Sequence, residues 1–142
     1  MLIRHLMHPA VVTIAPEESV ALAARLLARH NVGALPVCSA DKRLRGILTD
    51  RDIVLRCVAA GDDPAETPVR EIMTRRPLTL SPETESSAAA ALMADRQIRR
   101  LPVTEDGRLV GLVALADLAR QSALRPEAAA ALCEISGNIR RR

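Results

Sequence analysis

The chain contains no phenylalanine, tyrosine or tryptophan, although 49% of its residues are hydrophobic. Its core must therefore be assembled from Leu, Val, Ile, Ala and Met. The same absence excludes the aromatic platforms on which bases of single-stranded nucleic acid stack. Cysteine is also scarce: Cys38, Cys57 and Cys133 are odd in number, far apart and lack CxxC spacing, so neither a zinc knuckle nor a disulfide framework follows. Cys38 after a Pro-Val strand and Cys133 in a terminal helix read as buried thiols acting as small hydrophobes. His5, His8 and His30 share no metal-ligand spacing and read as surface residues, so no metal site is expected.

No apolar run reaches the roughly 18 residues of a membrane span, and the N-terminus has no signal-peptide h-region, which predicts a soluble, cytoplasmic protein without membrane association. No Ser, His and acid group gathers in a strand-turn-helix context, so an enzyme is not expected and no cofactor is required. The net charge of +3 arises from 20 basic residues interspersed among 17 acidic ones, with Lys42 the only lysine. Without a basic block, nucleic acid is not expected as a partner. The terminal Ile139-Arg140-Arg141-Arg142 reads as a frayed, solvated tail.

What the chain does have is an internal duplication. At one constant offset Arg4 aligns with Arg70, Met7 with Met73, Thr13 with Thr79, Pro16 with Pro82, Glu17 with Glu83, and Leu35-Pro36-Val37 with Leu101-Pro102-Val103. After a gap of about one residue, as a shortened hairpin loop would leave, Leu44 aligns with Leu109, Gly46 with Gly111 and Asp52 with Asp117. Two copies are too few for an open solenoid, so the copies should close on each other.

Each copy reads as strand, helix, strand, strand, helix, an α+β class. In the first, Val11 to Ile14 is a strand, Pro16-Glu17-Glu18-Ser19 opens a helix that runs to about His30, Ala34 to Cys38 and Leu44 to Leu48 pair across a turn, and a helix from Thr49 stops near Ala60 before Gly61. In the second, strands fall near Leu78 to Leu80, Leu101 to Thr104 and Leu109 to Val113, and helices at about Thr84 to Arg96 and Leu115 to Leu124; Pro126 ends the last, and Glu127 to Ile135 adds a terminal helix. The divisions are residues 1–61, a linker at 62–68, residues 69–125, and a terminal helix with basic tail at 126–142.

The segment Gly46-Ile47-Leu48-Thr49-Asp50-Arg51-Asp52 ends a strand and opens a helix. Thr49 and Asp52 fit a capping box. The same geometry is a ready anion site, because unpaired N–H groups at the helix start can receive a phosphate, with Arg51 adding charge and Asp52 lying aside for ribose hydroxyls. In the second copy, Gly111-Leu112-Val113-Ala114-Leu115-Ala116-Asp117 loses the threonine and arginine but keeps the acid, which leans toward ligand work for Asp117.

With its two Leu-Pro-Val strands and two Gly-apolar-apolar-Thr/Ala-x-x-Asp closes, the chain resembles a tandem cystathionine-β-synthase (CBS) domain pair, or Bateman module, over about residues 3 to 120. Val32 to Cys38 and Leu48 to Val54 further resemble the small stand-alone bacterial pairs typified by hypoxic response proteins. The resemblance implies two βαββα repeats packed about a pseudo-twofold axis, with two clefts that receive adenosine-containing ligands. One cleft would use Thr49, Arg51 and Asp52, with Leu78 and Ile98 against the base. The other would use Asp117, with Val12 and Val32 against the base and Arg99 and Arg100 toward phosphate. Only one of these adjacent arginines is expected to face a given cleft. The implied function is a non-catalytic regulatory module sensing AMP, ADP, ATP, NAD or S-adenosylmethionine, as a homodimer acting on a protein target that the residues do not name. Two rivals are a structural or interaction module with empty clefts, redox- or metal-responsive through its cysteines, and a basic nucleic-acid binder.

Overall fold

The structure is a computed structural model, which describes residues 1–121 and 125–141. It has the expected mixed class, with the helix-strand-strand-helix order present in each repeat. In the first, α1 (Val20–His30) precedes the antiparallel hairpin β1 (Ala34–Cys38) and β2 (Leu44–Thr49), and α2 (Asp50–Ile53) follows. β3 (Thr74–Arg75) pairs antiparallel with β2. In the second, α3 (Ser86–Arg96), the hairpin β4 (Arg100–Glu105) and β5 (Arg108–Ala114), and α4 (Leu115–Ala119) repeat the layout before α5 (Arg125–Arg141).

Capping explains where α1 begins and ends. The Ser19 hydroxyl accepts from Leu22 N–H at 3.1 Å, and Asn31 closes the helix in the left-handed region at φ 51°. Leu27, Ala23 and Val20 face inward at helical spacing. β1 is buried along its whole length, whereas β2 alternates buried and partly exposed residues, so the hairpin has one face in the core.

Two compact units emerge, each with its own core. One comprises Val11–Pro77 with Gly107–Leu109; the other comprises Met1–Ala10, Leu78–Asp106 and Val110–Arg142. The segment ahead of each repeat thus packs with residues of the other repeat. Ile3, wholly buried, joins the cluster of Met93, Leu101, Val113 and Leu118, while Val69 joins that of Val20, Leu35, Leu48 and Cys57. Ile3 N–H donates to the Thr84 carbonyl at 2.9 Å, and Val69 N–H to the Glu18 carbonyl at 2.8 Å. Gly46 and Gly111 admit these segments. A Cβ on Gly46 would lie 2.7 Å from both the Met73 Sδ and the Thr74 carbonyl oxygen, and one on Gly111 would lie 2.8 Å from the Met7 Sδ and 3.1 Å from the His8 carbonyl oxygen.

Several elements differ from expectation. Val11 to Ile14 and Leu78 to Leu80 are not strands but single parallel bridges, Ile14 to Val37 and Leu80 to Val103. Pro16 and Pro82 follow two residues later and end the pairing. The helix expected from Thr49 to Ala60 is one α turn followed by a π-helical stretch, Val54–Val58, in which Ala59 N–H reaches the Val54 carbonyl at 2.8 Å. It does stop at Gly61, at φ 79°. α4 ends at Ala119 rather than Leu124, whose position lies outside the described residues. Pro126 sits in the first turn of α5, where its missing N–H is harmless. The supposed tail continues α5 through Arg141, and Arg142 lies outside the described residues. Cys38 and Cys57 are buried, but Cys133 is exposed: it lies on the face of α5 opposite Ala128, Ala131 and Ile135.

Candidate functional site

Both strand-to-helix junctions have one backbone conformation. Thr49 sits at φ −113°, ψ 162°, and Ala114 at φ −110°, ψ 155°. In each, the first helical N–H reaches back to the residue before the hairpin: Asp50 N–H donates to the Gly33 carbonyl at 3.1 Å, and Leu115 N–H to the Arg99 carbonyl at 2.7 Å. What the side chains do there is different.

At the first junction the capping box is complete. Asp52 N–H donates to Thr49 Oγ1 at 3.1 Å, and Thr49 N–H donates to Asp52 Oδ2 at 3.0 Å. The other carboxylate oxygen, Oδ1, has Arg56 Nε at 3.9 Å, an ion pair too long for a hydrogen bond. Arg56 itself donates through Nη1 to the Ile72 carbonyl at 3.1 Å. Asp52 therefore keeps acceptor capacity. Arg51 is exposed, and among the described residues its guanidinium has no partner; with Asp50, Val54 and Leu55 it lines a hollow of about 320 Å³.

At the second junction half the box survives, because alanine has no acceptor: Ala114 N–H donates to Asp117 Oδ2 at 2.8 Å. Oδ1 receives Arg120 Nη1 at 2.8 Å and His8 Nε2 at 3.0 Å. Asp117 is 7% exposed, and its charge is met by groups from its own helix and from the N-terminal segment. His8 is exposed, as expected, but its ring has this partner. Neither His8 nor Arg120 stands out in the sequence as a site residue. The Asp-x-x-Arg spacing could have signalled Arg120; nothing local signals His8, which lies 109 residues away.

The remaining candidates fall within one unit or the other. Val12 is half-buried against the core of the Val11–Pro77 unit, and Val32 is 41% exposed in that unit. In the other unit Leu78 is exposed and Ile98 packs against the core. Arg99 and Arg100, expected to diverge, border the same cavity of about 640 Å³ beside α4 and α5, with Leu115, Leu132 and several alanines. Strand alternation does not separate them because β4 begins only at Arg100. Asp117 is not among the residues lining that cavity.

Among the described residues no group of three or more His, Cys, Asp and Glu side chains could hold a metal ion, and no helix is long and apolar enough to cross a membrane. Burial pushes the Cys38 thiol above its ordinary pKa.

Comparison with known proteins bears on these junctions. The family model described as CBS domain matches twice, at residues 3–58 and 69–123. A CBS domain-containing protein of Bacillus subtilis, YhcV, is 42% identical over 134 residues, 94% of each chain. Hypoxic response protein 1 of Mycobacterium tuberculosis is 38% identical over 117 residues, 82% of each chain. A crystal structure of Hypoxic Response Protein I with two coordinated zinc ions matches with a TM-score of 0.79 at 36% identity, covering 85% of this chain and 98% of that one.

Proposed function

The chain belongs to the CBS-domain family, and from that premise we propose that it is a non-catalytic regulatory module that senses an adenine nucleotide at an acid-closed strand-to-helix junction. The observation that carries this reading is the asymmetry of the two acids. Among the described residues Asp52 has one oxygen, Oδ1, with only Arg56 Nε near it at 3.9 Å, beyond hydrogen-bond reach, and Asp52 follows the exposed Arg51. Asp117 has three donors on its carboxylate. A ribose hydroxyl needs an acceptor and a phosphate needs a cation or free N–H groups; the first junction offers both. The Thr49–Asp52 junction is therefore the competent one, with Thr49 and Arg51 toward phosphate and Asp52 toward ribose.

Signalling requires something for the ligand to bias. Val54, Leu55 and Val58 are 56%, 50% and 59% exposed on one short helical stretch. That apolar group supports a homodimer as the assembly through which the module acts, in the cytoplasm, on a protein target.

Calorimetric titration with AMP, ADP, ATP, NAD and S-adenosylmethionine tests the reading. At least one ligand should bind; Asp52→Asn should weaken it about tenfold or more, the size of one charge-assisted hydrogen bond, and Asp117→Asn should not. Silence from all five at millimolar concentration overturns it.

A further inference from the structure

We propose that the exposed cations gathered on the Val11–Pro77 unit, at the β1–β2 turn, β3 and Gly107–Leu109, form a docking surface for an acidic, extended polypeptide segment of a partner protein. The sequence scatters these cations and the fold collects them. Leu44 N–H donates to the Gly107 carbonyl at 3.1 Å, and Leu109 N–H to the Lys42 carbonyl at 3.0 Å. Arg43 and Arg108 thereby become cross-strand partners in an antiparallel bridge. Further along β2, Gly46 is paired with Arg75, which brings Arg75, and Arg76 after it, alongside Arg45.

Two observations separate this group from an ordinary solvated face. Like charges set directly opposite on neighbouring strands destabilise a sheet, so the pairing of Arg43 with Arg108 costs the free protein stability. The side chains of Lys42, Arg75, Arg76 and Arg108, moreover, have no hydrogen-bond or ion-pair partner among the described residues. Arg45 Nε donates to Ser39 Oγ at 3.3 Å, which leaves its charge unmet. Arg43 is engaged, with Asp41 Oδ2 at 3.4 Å from its Nε. Six cations thus stand against Asp41 and the Glu105 and Asp106 that precede Gly107 in sequence, and that surplus of three equals the +3 of the whole chain.

The partner's chemistry follows from this distribution. Carboxylates accept the arginine fork and pair with lysine. Because the positive excess is local and the rest of the chain is balanced, a nucleic acid, whose phosphates run on without interruption, would leave the patch for neutral surface. The chain also has no aromatic residue to stack unpaired bases. A short acidic segment matches the patch in charge and extent. β3 is the last strand in the order β1-β2-β3, which leaves a sheet edge along which an extended segment can lie. The surface gives the module's protein target a chemistry without resting on the nucleotide reading at Thr49 and Asp52.

Fluorescence anisotropy of a labelled peptide of alternating Asp and Glu, titrated with the full chain and compared with its Asn and Gln counterpart, tests the proposal. The acidic peptide should bind and the neutral one should not, and raising salt from about 50 mM to about 300 mM should weaken binding at least about fivefold. Lys42→Gln with Arg108→Gln should weaken it at least about fivefold, whereas Arg25→Gln with Arg29→Gln, exposed on α1, should leave it within about twofold. Arg108→Glu should raise the urea midpoint of the free chain, by setting opposite charges across the bridge, while weakening the peptide. A merely structural role would not split those two readouts. No binding of the acidic peptide, equal losses from the two pairs, or tighter binding of duplex DNA or phosphatidylserine vesicles than of the peptide would overturn the proposal. Asp52→Asn should leave peptide binding intact, so this surface and the nucleotide reading fail separately.

Discussion

The two units share a backbone plan but differ in how they meet their surroundings. In the unit that contains α5, Ala128, Ala131 and Ile135 join the buried cluster with Met93 and Leu118, so the helical face is covered. The Val11–Pro77 unit has no such cover, and Val54, Leu55 and Val58 stand exposed at the corresponding turn. The acids diverge in parallel: Asp117 is tied down by three donors, and Asp52 by a capping box that leaves an oxygen over. Duplication has kept the scaffold while the two junctions have come to engage their acids differently.

The largest test of that difference is deletion of each acid. Asp117→Ala should cost about 1–3 kcal/mol in urea unfolding, because it removes the acceptor of the Ala114 N–H together with the partner of the exposed Arg120 and His8. Asp52→Ala should cost only about 1 kcal/mol, the value of a cap. Equal losses would erase the distinction. Next in size are the glycines. Gly46→Ala forces a methyl against a backbone oxygen at 2.7 Å and should cost about 1–3 kcal/mol. Gly111→Ala meets chiefly a flexible methionine end and should cost less.

Smaller still is the exchange of caps. Thr49→Ala should lose about 1 kcal/mol, and Ala114→Thr, placed on nearly the same φ and ψ, should gain about 0.5–1 kcal/mol. A gain at position 114 would complete the second box and make the junctions alike. Alkylation sharpens the contrast without touching stability. Exposed Cys133 should react before Cys38 and Cys57, and since burial raises the Cys38 pKa, its thiolate should appear only at more alkaline pH than an ordinary thiol's.

Much of this was legible from the residues. α1 is marked by Ser19 and its apolar spacing, and β1, β2, β4 and β5 by the repeated Leu-Pro-Val and Gly motifs, because those signals are local. β3 was not legible: Thr74 and Arg75 have no strand pattern and pair only because Gly46 lets them approach. Nor was the π stretch at Val54–Val58, which depends on a hydrogen-bond shift of one residue. The positions of Thr49, Asp52 and Asp117 followed from motif spacing. The company Asp117 keeps did not, since His8 reaches it from the far end of the chain.

The exchange of leading segments has a consequence for the order of birth. Met1–Ala10 leaves the ribosome before its packing partners, Leu78–Asp106 and Val110–Arg142, are synthesised. Most of the Val11–Pro77 unit can assemble while translation is still under way, and Met1–Ala10 must wait, Ile3 uncovered, until the second hairpin emerges to receive it.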